Sequence, residues 1–491
     1  MLFGTYTFAL FLALVLLGAR LCPRTESGWR MRKGWLLTAS YGFYACWNWP
    51  FAGLLALSTV VDFVVARTMY HRKRRRPWLM VSLAVNLGVL VAFKYADFLL
   101  SSVGALLSSV GLGAADAVGG PLIDGSALDI VLPVGISFYT FQTLSYTIDV
   151  YRGHMKPAKD WLDFALFVSF FPQLVAGPIV RADQFLPQCA PGDESARRGG
   201  PSVTSEMMAT GVFLVSWGLF KKVAIADNLA PIADKIFAQP DAVGPLEGLT
   251  GLLAFSGQIY CDFSGYAHIA VGVALWLGFH LPDNFQHPYA AVGFSDFWRR
   301  WHITLSQWLR DYLYISLGGN RRGRWRTQRN LVITMLLGGL WHGAAWHFVA
   351  WGGLHGLYLV VERLVRRGRQ AKRSDGFKGF AGALLTFALV LVTWAFFRAN
   401  TTMEAVHLLG SIVGLGPGVS SAGVSVGILE LALVGGVTAA LVLGGWWWRE
   451  HQVEHVAARL PGWMLVPGLV GLWVVTFLGA GGTRAFIYFQ F

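Results

Sequence analysis

Apolar runs long enough to cross a bilayer, which takes about 20 helical residues, recur along the whole chain. They lie near Leu2–Leu21, Trp78–Leu100, Leu128–Ile148, Met207–Ala226, Leu249–Phe279, Asn330–Val361, Phe377–Phe397, Val426–Trp448 and Trp463–Gly479. The stretch Gly34–Ala66 is interrupted by Trp47-Asn48-Trp49-Pro50. That pattern predicts a two-span hairpin with an aromatic tip at the membrane interface. Trp161–Val180 carries prolines at 172 and 178, and Lys156, Lys159, Arg181 and Arg197-Arg198 flank it on both sides. Basic loops gather on one face of a membrane, so this segment reads as re-entrant, covered by protein or a water-filled cavity. The whole predicts an all-α polytopic membrane protein of about 11–13 membrane segments.

Composition agrees. Apolar residues make up 55% and charged residues 14% of the 491 positions, against about 25% charged in soluble domains. The excess of 40 Lys and Arg over 27 Asp and Glu, +13, would suggest nucleic acid in a soluble protein. Here it sits in short blocks between apolar runs, Arg24–Lys33, Arg67–Arg76, Arg321–Arg329 and Arg363–Lys378, as cytoplasmic loops and membrane-lipid contacts do, so no nucleic-acid partner is expected. Ser101–Leu128, with Asp116 and Asp124, and Ala399–Ser425 lack Lys and Arg and are placed outside. Met1–Leu21 has no basic residue before Arg20, which favours a retained first span with the N-terminus outside. The four cysteines are widely spaced without a C-x-x-C pair, and no disulfide framework or zinc site is indicated.

Candidate chemistry concentrates in two places. In Asp296–Arg329, Phe297, Trp301, Leu305, Trp308 and Tyr312 share one stripe at 100° per residue. This predicts a single amphipathic helix on the cytoplasmic interface, ended by Gly318-Gly319, with His302 at the stripe's margin. The plain reading of His302 is an incidental surface residue. Asn330–Val361 is too long for one upright span and barely two, so a break is predicted around His342. Gly338, Gly339, Gly343, Ala344 and Ala345 around it leave room for close helix approach or a ligand channel. A buried neutral imidazole can serve as a general base, or be a satisfied structural histidine. His347 and His355, in the same run, are given no chemistry. Asp262, within Gln258–Tyr266, costs about 2.5–3.5 kcal/mol in an apolar span unless paired. It either orients a histidine or forms a cavity wall. Asp62 and Asp149 read as ion-paired near helix ends. No H-E-x-x-H or acidic metal cluster occurs, and no metal is expected.

LPVGISFYTFQTLSYTIDVYRG (Leu132–Gly153), FFPQLVAGPIVR (Phe170–Arg181), GLFKKVAIADNLA (Gly218–Ala230), QIYCDFSGY (Gln258–Tyr266), FWRRWHITLSQWLRDYLYISLGGNR (Phe297–Arg321), LLGGLWHGAAW (Leu336–Trp346) and the ending FIYFQF together resemble the membrane-bound O-acyltransferase family, in its polysaccharide-acetylating branch. The resemblance implies a helical bundle with re-entrant and interfacial helices around a central tunnel. It implies one integral-membrane unit over 1–491: N-terminal spans in 1–126, the motif-bearing catalytic core in 127–362 and C-terminal spans in 363–491. The implied reaction moves an acetyl group from cytoplasmic acetyl-CoA, a substrate rather than a bound cofactor, across a bacterial inner membrane. The acceptor would be an exported polysaccharide such as alginate, reached directly or through a periplasmic partner of the SGNH-hydrolase type. The family's near-invariant histidine corresponds to His342, the general base, and its second to His302, which positions donor or acceptor. Asp262 would stand behind them. Arg299, Arg300, Arg310 and Arg321 would hold the phosphates of CoA, or serve only topology and lipid headgroups. Transfer to teichoic acid, lipid or protein is the alternative within the class. A proton-coupled transporter or flippase, using Asp62, Asp149 or Asp262, is the alternative outside it. Two departures from the branch stand out. Ala267-His268 replaces a pattern that ends SGYSD, and Ser316 replaces a proline.

Overall fold

A computed structural model describes residues 3–110, 132–175, 177–190, 200–366, 376–415, 424–452, 461–480 and 484–487, and every regular element among them is helical. Six helices are long and apolar enough to cross a membrane: Trp49–His71, Arg76–Ser109, Ser205–Phe237, Trp346–Val365, Gly376–Arg398 and Ile428–Trp448. Tyr6–Leu21 and Gly462–Leu478 are shorter apolar helices. The chain is therefore a multi-pass membrane protein, although fewer segments than the 11–13 expected reach full length among the described residues.

The predicted hairpin forms, with Glu26–Ala45 and Trp49–His71 meeting at Cys46–Asn48 and Pro50 in the first turn of the second helix, where a missing N–H costs nothing. Trp161–Val180 does not cross. It breaks into Trp161–Ser169 and Phe171–Leu174 at Phe170, and everything from Phe164 to Leu174 is buried, as irregular backbone at membrane depth must be. Two runs have shifted ends. The helix expected over Leu128–Ile148 is Ile136–Arg152, entered through Gly135 at φ 77°, and the one expected over Trp78–Leu100 continues to Ser109. The loop bearing Asp116 and Asp124, Arg197-Arg198 and the last four residues lie outside the described residues.

Four π-helical segments interrupt the described helices, at Val91–Tyr95, Phe220–Ala226, Leu309–Tyr314 and Ala440–Gly444. Each widens one turn and redirects side chains. The first three carry Lys94, Lys221 with Lys222, and Arg310 with Asp311.

One expectation for a buried acid is corrected. Asp62 has no ion pair among the described residues. Its carboxylate accepts hydrogen bonds from Ser82 Oγ (2.5 Å), Asn86 Nδ2 (2.9 Å) and Thr147 Oγ1 (3.3 Å). Neutral donors from two neighbouring helices, Ser82 and Asn86 on one and Thr147 on the other, thus satisfy it. Asp262 has the partner its place in an apolar run requires, and among the described residues that partner is not a histidine. It pairs with Lys222 Nζ at 3.0 Å and accepts from the Ile487 amide at 2.8 Å. Lys222 also holds Asp227 at 2.7 Å. This ties the chain's last described segment, with Phe486 packed on Phe263 and Tyr266, to the long helix Pro245–Trp276.

Candidate active site

The run from Asn330 does break where its length requires. Arg324–His342 ends on His342, and Trp346–Val365 returns beside it. The glycines set the spacing of this antiparallel pair. A Cβ on Gly339 would stand 2.2 Å from the Phe348 carbonyl oxygen, and one on Gly352 would stand 2.3 Å from that of Met335. Only hydrogen fits there. Close approach, rather than a channel, is what these two residues serve.

At the tip, His342 is buried, with Trp341, Trp351 and Phe397 edge-on at 4.9–5.3 Å between centroids. The final carbonyls of its helix have no intrahelical donors. Lys94 Nζ donates to Trp341 O (2.6 Å) and His342 O (3.1 Å), and Tyr95 Oη donates to Leu340 O (2.8 Å).

The single amphipathic helix expected over Asp296–Arg329 is corrected. Phe294–Arg300 stops, His302 takes a left-handed conformation (φ 42°), and Ile303–Trp308 restarts, continuing as the π segment to Tyr314. Nor is His302 an incidental surface residue, since it is fully buried. Positive φ is costly for a side chain with a Cβ, by about 1–2 kcal/mol, so something must hold it. The segment at Asn284 does so. Ile303 N donates to Asn284 O and Gln286 N to Arg300 O, both at 2.9 Å. Asn284 Oδ1 accepts from Thr304 Oγ1 (2.9 Å) and the Thr304 amide (3.3 Å) and lies 3.1 Å from His302 Nδ1. An oxygen already accepting two bonds acts as acceptor for the third. The network therefore assigns the proton of neutral His302 to Nδ1 and leaves Nε2 as the acceptor.

The structure brings the two histidines together. Their ring centroids are 6.5 Å apart, with Trp341 between the flanks (5.9 Å from His302, 5.0 Å from His342) and Phe263 and Phe138 closing the His302 side. The motifs found separately in the sequence converge on this chamber. Trp308 stacks on Phe141 at 3.7 Å and donates to its carbonyl, and the Ile179 amide donates to Thr304 Oγ1. An aromatic enclosure of two imidazoles, one with a fixed tautomer, can accept and return a proton away from bulk water.

The other candidate residues stand apart from that pair. Arg299 and Arg310 are exposed, bound to Asp296 and Asp311; Arg300 is half-buried, bound to Asp296 and Glu450; Arg321 is exposed. Arg299 and Arg300 thus share Asp296, while Arg310 is held on Asp311. Asp311 also receives Arg181 at 2.7 Å. Burial pushes its carboxyl up, but the hydrogen bonds from Arg310 and Arg181 outweigh this and hold it below the ordinary 3.8. Asp149 accepts from Tyr312 Oη at 2.5 Å and lies 3.4 Å from His154. His347 binds the Phe396 carbonyl, and His355 is packed among Phe297, Trp298 and Trp351.

At the departures from the family pattern, His268 Nδ1 lies 2.7 Å from Lys221 Nζ, and Ser316 Oγ accepts from Arg152 at 2.9 Å. Lys221 and His268 line a cavity of about 530 Å³ with Tyr260, Phe285 and His287; Phe285 also faces His302, 6.4 Å away.

Sequence reasoning missed Lys94 and Asn284. A lone lysine inside the apolar run Trp78–Leu100 was signal enough for the first. Asn284, in a non-helical stretch, carries no comparable local signal.

Residues 158–403 match the family model of the membrane-bound O-acyltransferases. Over 391 residues the chain is 41% identical to a probable alginate O-acetylase of Azotobacter vinelandii, covering 79% of this chain and 74% of that one. Over 410 residues it is 38% identical to a peptidoglycan O-acetyltransferase of Helicobacter pylori, covering 78% and 74% respectively. A teichoic acid D-alanyltransferase of Bacillus subtilis strain 168 is 27% identical over 236 residues, 46% of this chain and 58% of that one.

Proposed function

The chain belongs to the membrane-bound O-acyltransferase family, and on that premise we propose that it transfers an acetyl group from cytoplasmic acetyl-CoA for the O-acetylation of an exported polysaccharide. That it is an acyltransferase displaces the transporter reading, which rested on Asp62, Asp149 and Asp262. The acceptor class is carried over from relatives named for alginate and peptidoglycan acetylation. A bacterial inner membrane as location, and a periplasmic SGNH-type protein as relay to the glycan, complete the proposal.

The observation that carries the mechanism is the burial of His302 and His342 with their rings 6.5 Å apart. His342 takes the proton of the acceptor hydroxyl as that oxygen attacks the thioester carbonyl. The C–S bond then breaks, and the proton goes to the departing thiolate of CoA. His302 holds the reacting group through Nε2, its ring fixed by Asn284. General-base catalysis is worth about 10²–10⁴-fold, and fixing the reactants adds to it. The arginines at 299, 300, 310 and 321 remain candidates for the phosphates of CoA.

The test is purified protein in nanodiscs with radiolabelled acetyl-CoA, wild type against His342→Ala, with thermal melting of both. Label turnover that falls by at least about 100-fold in a folded variant supports the mechanism. Unchanged turnover rejects His342 as the base. A wild type active only when periplasmic extract is added supports the relay.

A further inference from the structure

We propose that Lys94 is a positioning residue for His342, a role that rests on the proposed function of that histidine. Lys94 lies within the membrane-spanning helix Arg76–Ser109, where a lysine is expensive unless compensated. Among the described residues it has no carboxylate partner. Its hydrogen bonds go to Trp341 O, His342 O and Ser137 Oγ, the last at 3.4 Å, so three acceptors meet the three ammonium hydrogens. The helix end is the compensation, because the terminal carbonyls of Arg324–His342 carry the negative pole of its dipole. Tyr95, the next residue, takes the carbonyl one position earlier. Consecutive side chains of one chain segment thus secure Leu340, Trp341 and His342 in order.

The π segment makes this possible. Adjacent residues on an α-helix diverge by about 100°, and the widened turn Val91–Tyr95 allows Lys94 and Tyr95 to reach one helix end together. The clamp acts on the backbone of His342 itself. Beyond His342 the chain leaves helical geometry at once, Gly343 being extended, so Lys94 and Tyr95 are what stop the last turn from fraying. A frayed turn would carry the imidazole out of reach of the acceptor hydroxyl.

The experiment compares Lys94→Met, Lys94→Arg and wild type by steady-state kinetics and by hydrogen–deuterium exchange over residues 336–345. For Lys94→Met, kcat is expected to fall by about 100-fold, the usual cost of misplacing a catalytic group by about 1 Å. KM for acetyl-CoA should stay within about twofold, and exchange at the helix end should accelerate while the melting temperature holds. Lys94→Arg, which can still donate to the carbonyls, should recover most of kcat. Unchanged exchange and kcat in Lys94→Met would overturn the proposal. So would a loss confined to KM, which would make Lys94 a ligand-binding group. If Lys94→Met does not fold, Lys94→Ala, which removes the donors but leaves room for water at the carbonyls, replaces it under the same criteria. Exchange is read without turnover, so a wild type inactive on acetyl-CoA would count against the proposed donor and leave the clamp decided by exchange alone.

Discussion

Gly339→Ala adds one methyl group at the closest approach of the two helices that meet at His342. Its Cβ would stand 2.2 Å from the Phe348 carbonyl oxygen, where real Cβ contacts essentially never fall below 3.0 Å. The helices must separate locally by at least the difference, 0.8 Å. The obstructing atom is backbone on an adjacent helix, so no rotamer change relieves it. Overpacking of this kind costs about 1–3 kcal/mol. His342 lies three residues on, at the end of the same helix, and a shift approaching 1 Å at a catalytic group costs about 100-fold in rate. The expected result is a variant that inserts and purifies, melts several degrees early and releases CoA about 100-fold more slowly, read with a thiol reagent. Gly353→Ala is the control. Its Cβ meets only Leu336 Cδ2 at 3.5 Å, an ordinary contact, and it should behave as wild type. Wild-type turnover and melting in Gly339→Ala would refute the reasoning, since the close contact would then not set the position of His342.

Further outcomes follow from the same geometry. Asn284→Ala leaves His302 Nδ1 and Thr304 without their shared acceptor; an orphaned buried donor costs about 1–3 kcal/mol, so kcat should drop by roughly ten- to a hundredfold, and wild-type kcat would mean the tautomer is set elsewhere. Lys222→Met strands Asp227 and Asp262 and should destabilise by about 3–5 kcal/mol in a denaturation series, with part of the loss recovered by adding Asp262→Asn; no recovery would detach Asp262 from the pair. Asp311 is held below its ordinary range, so its ion pairs contribute stability above a pH of about 4, lost as pH falls through the lowered folded value. The half-exposed site limits this to under about 1 kcal/mol. Thermal melts at pH 7 and pH 3 should show a smaller acid-induced decrease in Asp311→Asn than in wild type, and equal decreases would discount the pairing.

Segments whose ends are set locally were legible in the chain. The Trp47–Pro50 interruption forces a turn whatever surrounds it, and the run from Asn330 is too long for one membrane thickness, so both breaks could be read. The re-entrant Trp161–Val180 followed from charges on both flanks. Asp296–Arg329 misled because a 100° projection assumes an unbroken helix. The break comes from Asn284, eighteen residues before His302 and engaged only through tertiary contact. His302 thus read as marginal in projection while being fully buried. Asp62 misled similarly. A carboxylate in an apolar span suggests an ion pair, but its partners are Ser82, Asn86 and Thr147, uncharged residues that a search for an opposite charge passes over. The arginines were prominent in the sequence, but charge blocks report which side of the membrane a loop occupies and not where loops converge.

The widened turn at Val91–Tyr95 has a genetic consequence. A π segment is an α-helix with one residue inserted, so losing a single codon there restores regular winding and rotates everything after it by about 100°. Ala96–Ser109 would then present a different face, and Lys94 and Tyr95 could no longer share a target. A lineage can therefore gain or discard this pair of contacts in one insertion or deletion, without any substitution at His342. A one-residue gap at this place in an alignment would mark descendants that hold the histidine turn by other means.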